Sequence, residues 1–235
     1  MKKKSLGILG GMGPLATADL FRKIVLMTRA QCDSDHIRIY IDDNAFIPDR
    51  TAAILNGGPS PMPQMEDSLR KLERCGADVI IMPCNTAHYF LPQLQARTAL
   101  PILSMLRAAA QASARNYPGK TAAILGTRGT LSTGLYNRAM EEAGVSFLIP
   151  PPEVQDLLMR VIYDGVKAGA PPAHYREDLL LAVQKMTDLG ADFFVLGCTE
   201  LPLAFANLEL QLPLVDATTE LARAAITACG YEVML

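Results

Sequence analysis

The chain has 235 residues, half of them apolar and 20% charged, with a formal net charge of −2. That length suits one large α/β unit or two lobes of roughly 100–120 residues each, and the composition is that of a protein with a sizeable buried core. No basic stripe extends beyond Lys2-Lys3-Lys4 and no apolar run approaches the ~20 residues of a membrane span, so neither nucleic acid nor a membrane is the expected partner.

The first apolar stretch, Leu6–Leu9, reads as a buried strand. It runs into Gly10-Gly11-Met12-Gly13-Pro14, a turn rather than the hydrophobic stretch of a secretory leader, and the protein is expected to be cytoplasmic. Pro14 stands where a first helical turn tolerates proline, and Ala16–Ala30 spaces Leu20, Ile24 and Met27 at helical intervals. Ile37–Ile41 is a second strand and Gln64–Cys75 an amphipathic helix stopped by Gly76. Val79–Met82 is the next strand, Ala87–Arg97 a helix and Ile102–Leu103 a short strand. Such alternation implies parallel sheets covered by helices on both faces.

Three segments recur in the same order in the second half. Ser5-Leu6-Gly7-Ile8-Leu9-Gly10-Gly11 matches Thr121-Ala122-Ala123-Ile124-Leu125-Gly126-Thr127, and Leu100-Pro101-Ile102-Leu103 matches Leu212-Pro213-Leu214-Val215. Between them, Gly76-Ala77-Asp78 opens an apolar run ending in Cys84, as Gly190-Ala191-Asp192 does before Cys198. The expected architecture is α/β, with two pseudo-symmetric parallel-sheet lobes produced by internal duplication and an active site in the cleft between them. The first lobe would comprise residues 1–115 with about 214–235, and the second about 116–213. Loops at Asn56–Pro63, Pro150–Pro152 and Ala170–Pro172 are candidate edges of that cleft, because ligands bind at the carboxyl ends of parallel strands.

Five cysteines without a C-x-x-C pair or a histidine cluster suggest free thiols and no metal site. Cys32, Cys75 and Cys229 lack a strand-end setting and read as packing residues. Cys84 and Cys198 each stand before an expected helix start, where the macrodipole favours an anion and lowers a thiol's pKa. A thiolate on one face of a carbon and a thiol on the other is an arrangement that inverts a stereocentre. The carbanion between them would need oriented donors around the α-carboxylate. Asn85, Thr86 and Thr199 are candidates, although helix capping explains the same residue types. Glu200 could hold the substrate ammonium or orient the second thiol. The Gly10–Gly13 turn, with Met12 and Gly13, suits a carboxylate better than a dinucleotide. The loose fingerprint Gly11-x-Gly13-x-x-Ala16, with Asp42 or Asp43 as ribose partner, is not repeated at Gly126-Thr127-Arg128-Gly129. His88 reads as a polar residue on the first turn of a helix.

These motifs resemble the cofactor-independent aspartate/glutamate racemase family, nearest its aspartate branch. The resemblance rests on Gly10-Gly11-Met12-Gly13-Pro14, Asn44-Ala45-Phe46-Ile47-Pro48-Asp49-Arg50-Thr51, Pro83-Cys84-Asn85-Thr86-Ala87-His88, Leu125-Gly126-Thr127, Asp164-Gly165-Val166-Lys167-Ala168-Gly169 and Gly197-Cys198-Thr199-Glu200-Leu201-Pro202. It implies that Cys84 and Cys198 are the catalytic thiols, acting without pyridoxal phosphate or any other cofactor. It further implies that Asn85, Thr86 and Thr199 grip the α-carboxylate, that Met12 and Thr127 line the pocket, and that Arg50 and Lys167 bind a distal carboxylate. An arginine fork and a lysine point charge suit such a group, and both residues are expected on mobile loops that close over the substrate. The implied ligand is a small acidic amino acid, aspartate or glutamate, and the implied assembly a homodimer. Glutamate racemases proper carry an acid soon after the first strand and a histidine near the second cysteine, which this chain lacks. Competing readings are a hydantoin racemase, a maleate isomerase or a one-thiol decarboxylase of the same superfamily, a nicotinamide-dependent oxidoreductase using the first glycine turn, and a non-catalytic amino-acid-binding relative.

Overall fold

A computed structural model describes residues 3–234. The chain forms two compact units, one of residues up to Met105 together with those from Thr218 onward, the other of Leu106–Ala217. In chain order the first contains β1 (Leu6–Gly10), α1 (Pro14–Met27), β2 (Ile39–Asp43), α2 (Arg50–Leu55), α3 (Met62–Cys75), β3 (Val79–Ile81), a 3₁₀ turn (Thr86–Phe90) and α4 (Leu91–Gln95). The chain then passes along α5 (Met105–Asn116) into β4 (Thr121–Gly126), α6 (Arg128–Ser132), α7 (Leu135–Ala143), β5 (Ser146–Leu148) and α8 (Pro152–Met159). A π-helical segment (Arg160–Lys167), α9 (Arg176–Asp188), β6 (Phe193–Gly197), α10 (Leu201–Asn207) and β7 (Leu214–Asp216) follow, before α11 (Ala217–Ala228). Among the described residues no helix is long and apolar enough to cross a membrane.

Each unit is built on its own parallel sheet, with strand order β2-β1-β3 in the first and β5-β4-β6-β7 in the second. The central strands are buried along their whole length in β1 and β6, which is why they read as unbroken apolar runs instead of alternating patterns. The expected α/β architecture with parallel sheets is therefore what the chain adopts. Leu9, Met65, Leu69, Leu72 and Ile80 pack in the first core. Leu125, Leu158, Leu179, Phe194 and Leu196 pack in the second.

The repeated Gly-Ala-Asp motif does the same physical work twice. Gly76 (φ 90°) and Gly190 (φ 96°) take the left-handed conformation that ends α3 and α9. Their N–H groups bond to the carbonyls of Glu73 and Thr187, and those of Ala77 and Ala191 reach back to Leu72 and Met186. The aspartate then clamps the neighbouring strand: Asp78 Oδ2 accepts from Ser5 N–H at 2.8 Å, and Asp192 Oδ2 from Thr121 N–H at 2.8 Å. Further along, Ile80 N–H bonds to Pro101 O at 2.9 Å and Phe194 N–H to Pro213 O at 3.0 Å. The expected strand at Ile102–Leu103 reduces to one parallel bridge, Ile80↔Ile102, where the second unit forms the full strand β7.

Two local expectations are corrected. The helix expected over Ala87–Arg97 is split into the 3₁₀ turn and α4 because Pro92 has no N–H to continue the α-helical ladder. Asp164-Gly165, read as a turn, lies inside the π-helical segment, where Gly165 is required: a Cβ there would sit 2.7 Å from Tyr175 Cδ1.

Gly11 has both a positive φ of 87° and no room for a side chain, since a Cβ would lie 2.2 Å from the Asn44 carbonyl carbon. Gly119 also has a positive φ, of 72°, but open space around it. Left-handed strain and overpacking add at Gly11, so Gly11→Ala should lower unfolding free energy by about 3–4 kcal/mol or abolish folding, against about 1 kcal/mol for Gly119→Ala. Urea denaturation of the two variants checks this, and equal losses would contradict the Asn44 contact.

Candidate functional site

In the first unit Cys84 lies just beyond β3 and is buried. Its main chain is held at both ends: its N–H bonds to Met82 O at 2.9 Å, and its carbonyl faces His88 Nδ1 at 2.9 Å. His88 Nε2 accepts the Met105 main-chain N–H at 3.1 Å. A main-chain amide can only donate, so Nε2 carries the lone pair and Nδ1 the proton that goes to Cys84. Burial lowers the His88 pKa to about 4, opposed by hydrogen bonds to the carbonyls of Cys84 and Leu103, so the ring is neutral at ordinary pH. Asn85 and Thr86, both buried, open the 3₁₀ turn, and the Asn85 side chain makes no cap hydrogen bond to it. The capping explanation of that residue is thereby removed.

Met12 and Gly13 follow β1, and Met12 packs in the same cluster as Cys84. Arg50, expected from the sequence on a mobile loop, is not on one. It is a buried residue at the first turn of α2, which Asp49 caps by accepting the Ala52 N–H. Its guanidinium donates to the carbonyls of Met12 (2.9 Å), Pro48 (3.1 Å) and Ile47 (3.2 Å). Arg50 thus ties the Met12 turn to the loop after β2. Asn44, which opens the Asn44–Thr51 motif but was given no role from the sequence, braces that loop: its amide donates to Gln64 and Ser68, and its Oδ1 accepts from the Phe46 N–H. The Asn44 main chain fills the space that Gly11 leaves. A dinucleotide pyrophosphate would need that same space, and Gly11 N–H is already bonded to Thr17 Oγ1 at 3.0 Å. Asp43 is exposed and Asp42 half-buried. The nicotinamide reading loses its physical basis.

In the second unit Cys198 follows β6 directly and is buried, beside Thr199 and Glu200. Cys198 Sγ donates to Glu200 Oε2 at 2.9 Å, and Thr199 Oγ1 donates to the same oxygen at 3.1 Å. Glu200 Oε1 accepts from Lys167 Nζ at 2.7 Å, and the Lys167 side chain is 25% exposed. Lys167 ends the π-helical segment instead of a mobile loop. That segment and α10, which follows Glu200, are joined through Tyr175, whose ring covers Gly165 and whose hydroxyl accepts from Asn207 at 3.0 Å. Thr127 lies next to Gly126, the strand partner of Gly197; it caps α6 and bonds to Thr130. Neither Thr199 nor Glu200 caps α10 through its side chain.

The expected lowering of the thiol pKa does not hold for Cys198. Burial pushes it well above the ordinary cysteine range and the Glu200 carboxylate adds to that rise, while Lys167 opposes both. A helix start favours an anion only where desolvation and a neighbouring carboxylate do not outweigh it. Cys198 therefore rests as a thiol. Tyr136 is a further buried group that sequence reasoning missed. Its ring lies against Gly197, leaving no room for a Cβ there, and burial raises its pKa first, with Asp216 and Cys198 contributing. Its place on α7, distant in sequence from the cysteine motif, gave no signal.

The profile of the Asp/Glu/hydantoin racemase family matches residues 9–225 of this chain. The chain belongs to that family. A broad specificity amino-acid racemase of Bacillus subtilis is 25% identical over 240 residues, 97% of this chain and 99% of that one. The solved aspartate racemase of Picrophilus torridus matches with a TM-score of 0.82 at 28% identity, covering 98% of this chain and 96% of that one. A glutamate racemase of Corynebacterium kroppenstedtii is 27% identical over 222 residues, 90% of this chain and 69% of its own length.

The charges around Cys198 give a signed prediction. Glu200→Gln removes the carboxylate that raises the thiol pKa, so alkylation of Cys198 should begin at lower pH. Lys167→Met removes the group that lowers it, so alkylation should begin at higher pH. Iodoacetamide labelling across pH 6–10, followed by mass spectrometry of the Cys198 peptide, reads both shifts. Movement in the same direction would contradict the arrangement.

Proposed function

We propose that this protein is a cofactor-independent racemase of acidic amino acids, aspartate foremost, in which Cys84 and Cys198 are the opposed acid and base. The observation that carries the reading is the Lys167–Glu200–Cys198 chain, which ends in a protonated thiol. The matching strand end of the duplicated first unit bears the second thiol, Cys84. In one direction the Cys84 thiolate takes the α-proton, forming an S–H bond as the Cα–H bond breaks. The Cys198 S–H bond then breaks to deliver a proton to the other face of the carbanion. The reverse direction exchanges the two roles. Donors from Asn85, Thr86, Thr127 and Thr199, with the Met12-Gly13 turn, would hold the α-carboxylate and stabilise the charge that develops at Cα. Glu200 orients Cys198 while the thiol is protonated, and Lys167 offsets the negative charge when it is not. The chemistry uses the chain's own residues throughout, in a soluble cytoplasmic enzyme acting as a homodimer.

One observation favours a second, wider reading. Lys167 is paired with Glu200 and the Arg50 guanidinium with three main-chain carbonyls. A distal carboxylate would compete with these partners for the two cations. Neutral amino acids make no such demand, and the similarity to the broad specificity racemase supports including them.

The protein without added cofactor should incorporate solvent deuterium at Cα of aspartate and racemise it. Cys84→Ala and Cys198→Ala should each reduce racemisation by about a thousandfold, the scale of a lost general acid or base. Full activity in both variants would reject the two-thiol mechanism. A panel of aspartate, glutamate, alanine and a hydantoin, read by chiral chromatography, separates the acidic from the wider reading.

A further inference from the structure

Cys84 and Cys198 are held in different ways. In the register set by the Gly-Ala-Asp motifs, Glu200 corresponds to Thr86 and His88 to Pro202. The second unit therefore steadies its cysteine through a side-chain bond from the sulfur to Glu200. The first has a histidine where the second has proline, and that histidine bonds to the cysteine's main chain. His88 is 3% exposed, and both of its ring nitrogens are used. One serves the Cys84 carbonyl. The other accepts the Met105 N–H, which belongs to the first turn of α5 and would otherwise lack an intrahelical partner. Asn85 O, in turn, accepts the His88 main-chain N–H at 3.0 Å, so the segment Cys84–His88 is closed on itself, and its ring is anchored beside the start of α5, at Met105 and the Leu103 carbonyl. The Cys84 N–H is already committed to Met82. Removing the ring bond to its carbonyl would take away one restraint on the peptide after Cys84, and with it on the direction in which the thiol points.

We propose that His88 is a positioning residue for Cys84: its Nδ1–H fixes the peptide from which the thiol projects, and its Nε2 fastens that peptide to the start of α5. The proposal rests on the reading of Cys84 as one of two acid–base thiols and adds the residue that aims it. His88 touches no reacting atom, and its effect passes through the Cys84 main chain. A sulfur displaced by about 1 Å from its line to a carbon acid loses roughly a hundredfold in rate. The loss should fall on one proton transfer only, because Cys198 is held by an independent set of groups.

Two near-isosteric variants separate the two bonds of the ring. His88→Asn keeps an amide N–H near the place of Nδ1, able to donate to Cys84 O. His88→Gln reaches the place of Nε2, able to accept from Met105, and loses the bond to Cys84. Three readouts are taken: racemisation rate, the α-deuterium isotope effect measured separately on each enantiomer, and the rate at which iodoacetamide labels Cys84. His88→Asn should keep most of the parent rate and labelling. His88→Gln should fall roughly a hundredfold, with a raised isotope effect on one enantiomer only. On the opposite enantiomer, solvent deuterium should enter unreacted substrate faster than inversion proceeds. A glutamine variant that equals or exceeds the asparagine variant in rate and labelling would overturn the proposal, leaving His88 a cap for α5. Equal isotope effects on both enantiomers in His88→Gln would overturn it as well. Should the parent protein exchange no α-proton at all, the racemase reading fails by itself, and the Cys84 labelling rates still decide whether His88 aims the thiol.

Discussion

The carboxylates of Asp78 and Asp192, each accepting a main-chain N–H at the start of a central strand, set the register on which the functional side chains depend. A parallel strand has no tight turn to fix its alignment with its neighbour. Here a glycine ends the preceding helix and the aspartate two positions later seizes the adjacent strand, so β3 and β6 are aligned with β1 and β4 from their first residue. A buried apolar run then carries the chain to a cysteine at the carboxyl end. The same geometry brings the turns after β1 and β4, bearing Met12 and Thr127, to the same end of their sheets.

On that common frame the two units have diverged electrostatically. The second unit buries its thiol beside the Glu200 carboxylate, and both keep Cys198 protonated while Lys167, paired with Glu200, opposes them. The first has threonine in place of that carboxylate and steadies Cys84 through a neutral buried histidine bonded to its main chain. A two-base inversion needs one acid and one base, and a buried Cys198 that rests as a thiol suits the acid of the proposed mechanism.

Much of this was legible in the residues. Buried apolar strands, the glycine stops at Gly76 and Gly190, and the recurrence of Gly-Ala-Asp before a cysteine identified two parallel α/β units and the family. The partnerships of the charged groups were not legible. Lys167 and Glu200 meet because a π-helical segment and α10 are fastened through Tyr175, and no spacing rule joins positions so far apart in the chain. Arg50 is committed to carbonyls of a turn 38 residues earlier and of its own loop. The ionisation of Cys198 was misjudged for a related reason. A helix-start argument uses local backbone alone, whereas burial and Glu200 act through the folded surroundings. The split of the expected helix after Cys84 was readable at Pro92, whose missing N–H breaks the ladder.

The central claim is that both sulfurs act on one α-carbon. A crystal structure of the protein with bound aspartate, or with a non-racemisable analogue, tests it most directly. The account predicts Cys84 Sγ and Cys198 Sγ on opposite faces of Cα, each within roughly 3.5 Å, with the α-carboxylate among Asn85, Thr86, Thr127 and Thr199. A ligand approached by one sulfur only, or bound with both sulfurs on the same face, would contradict it.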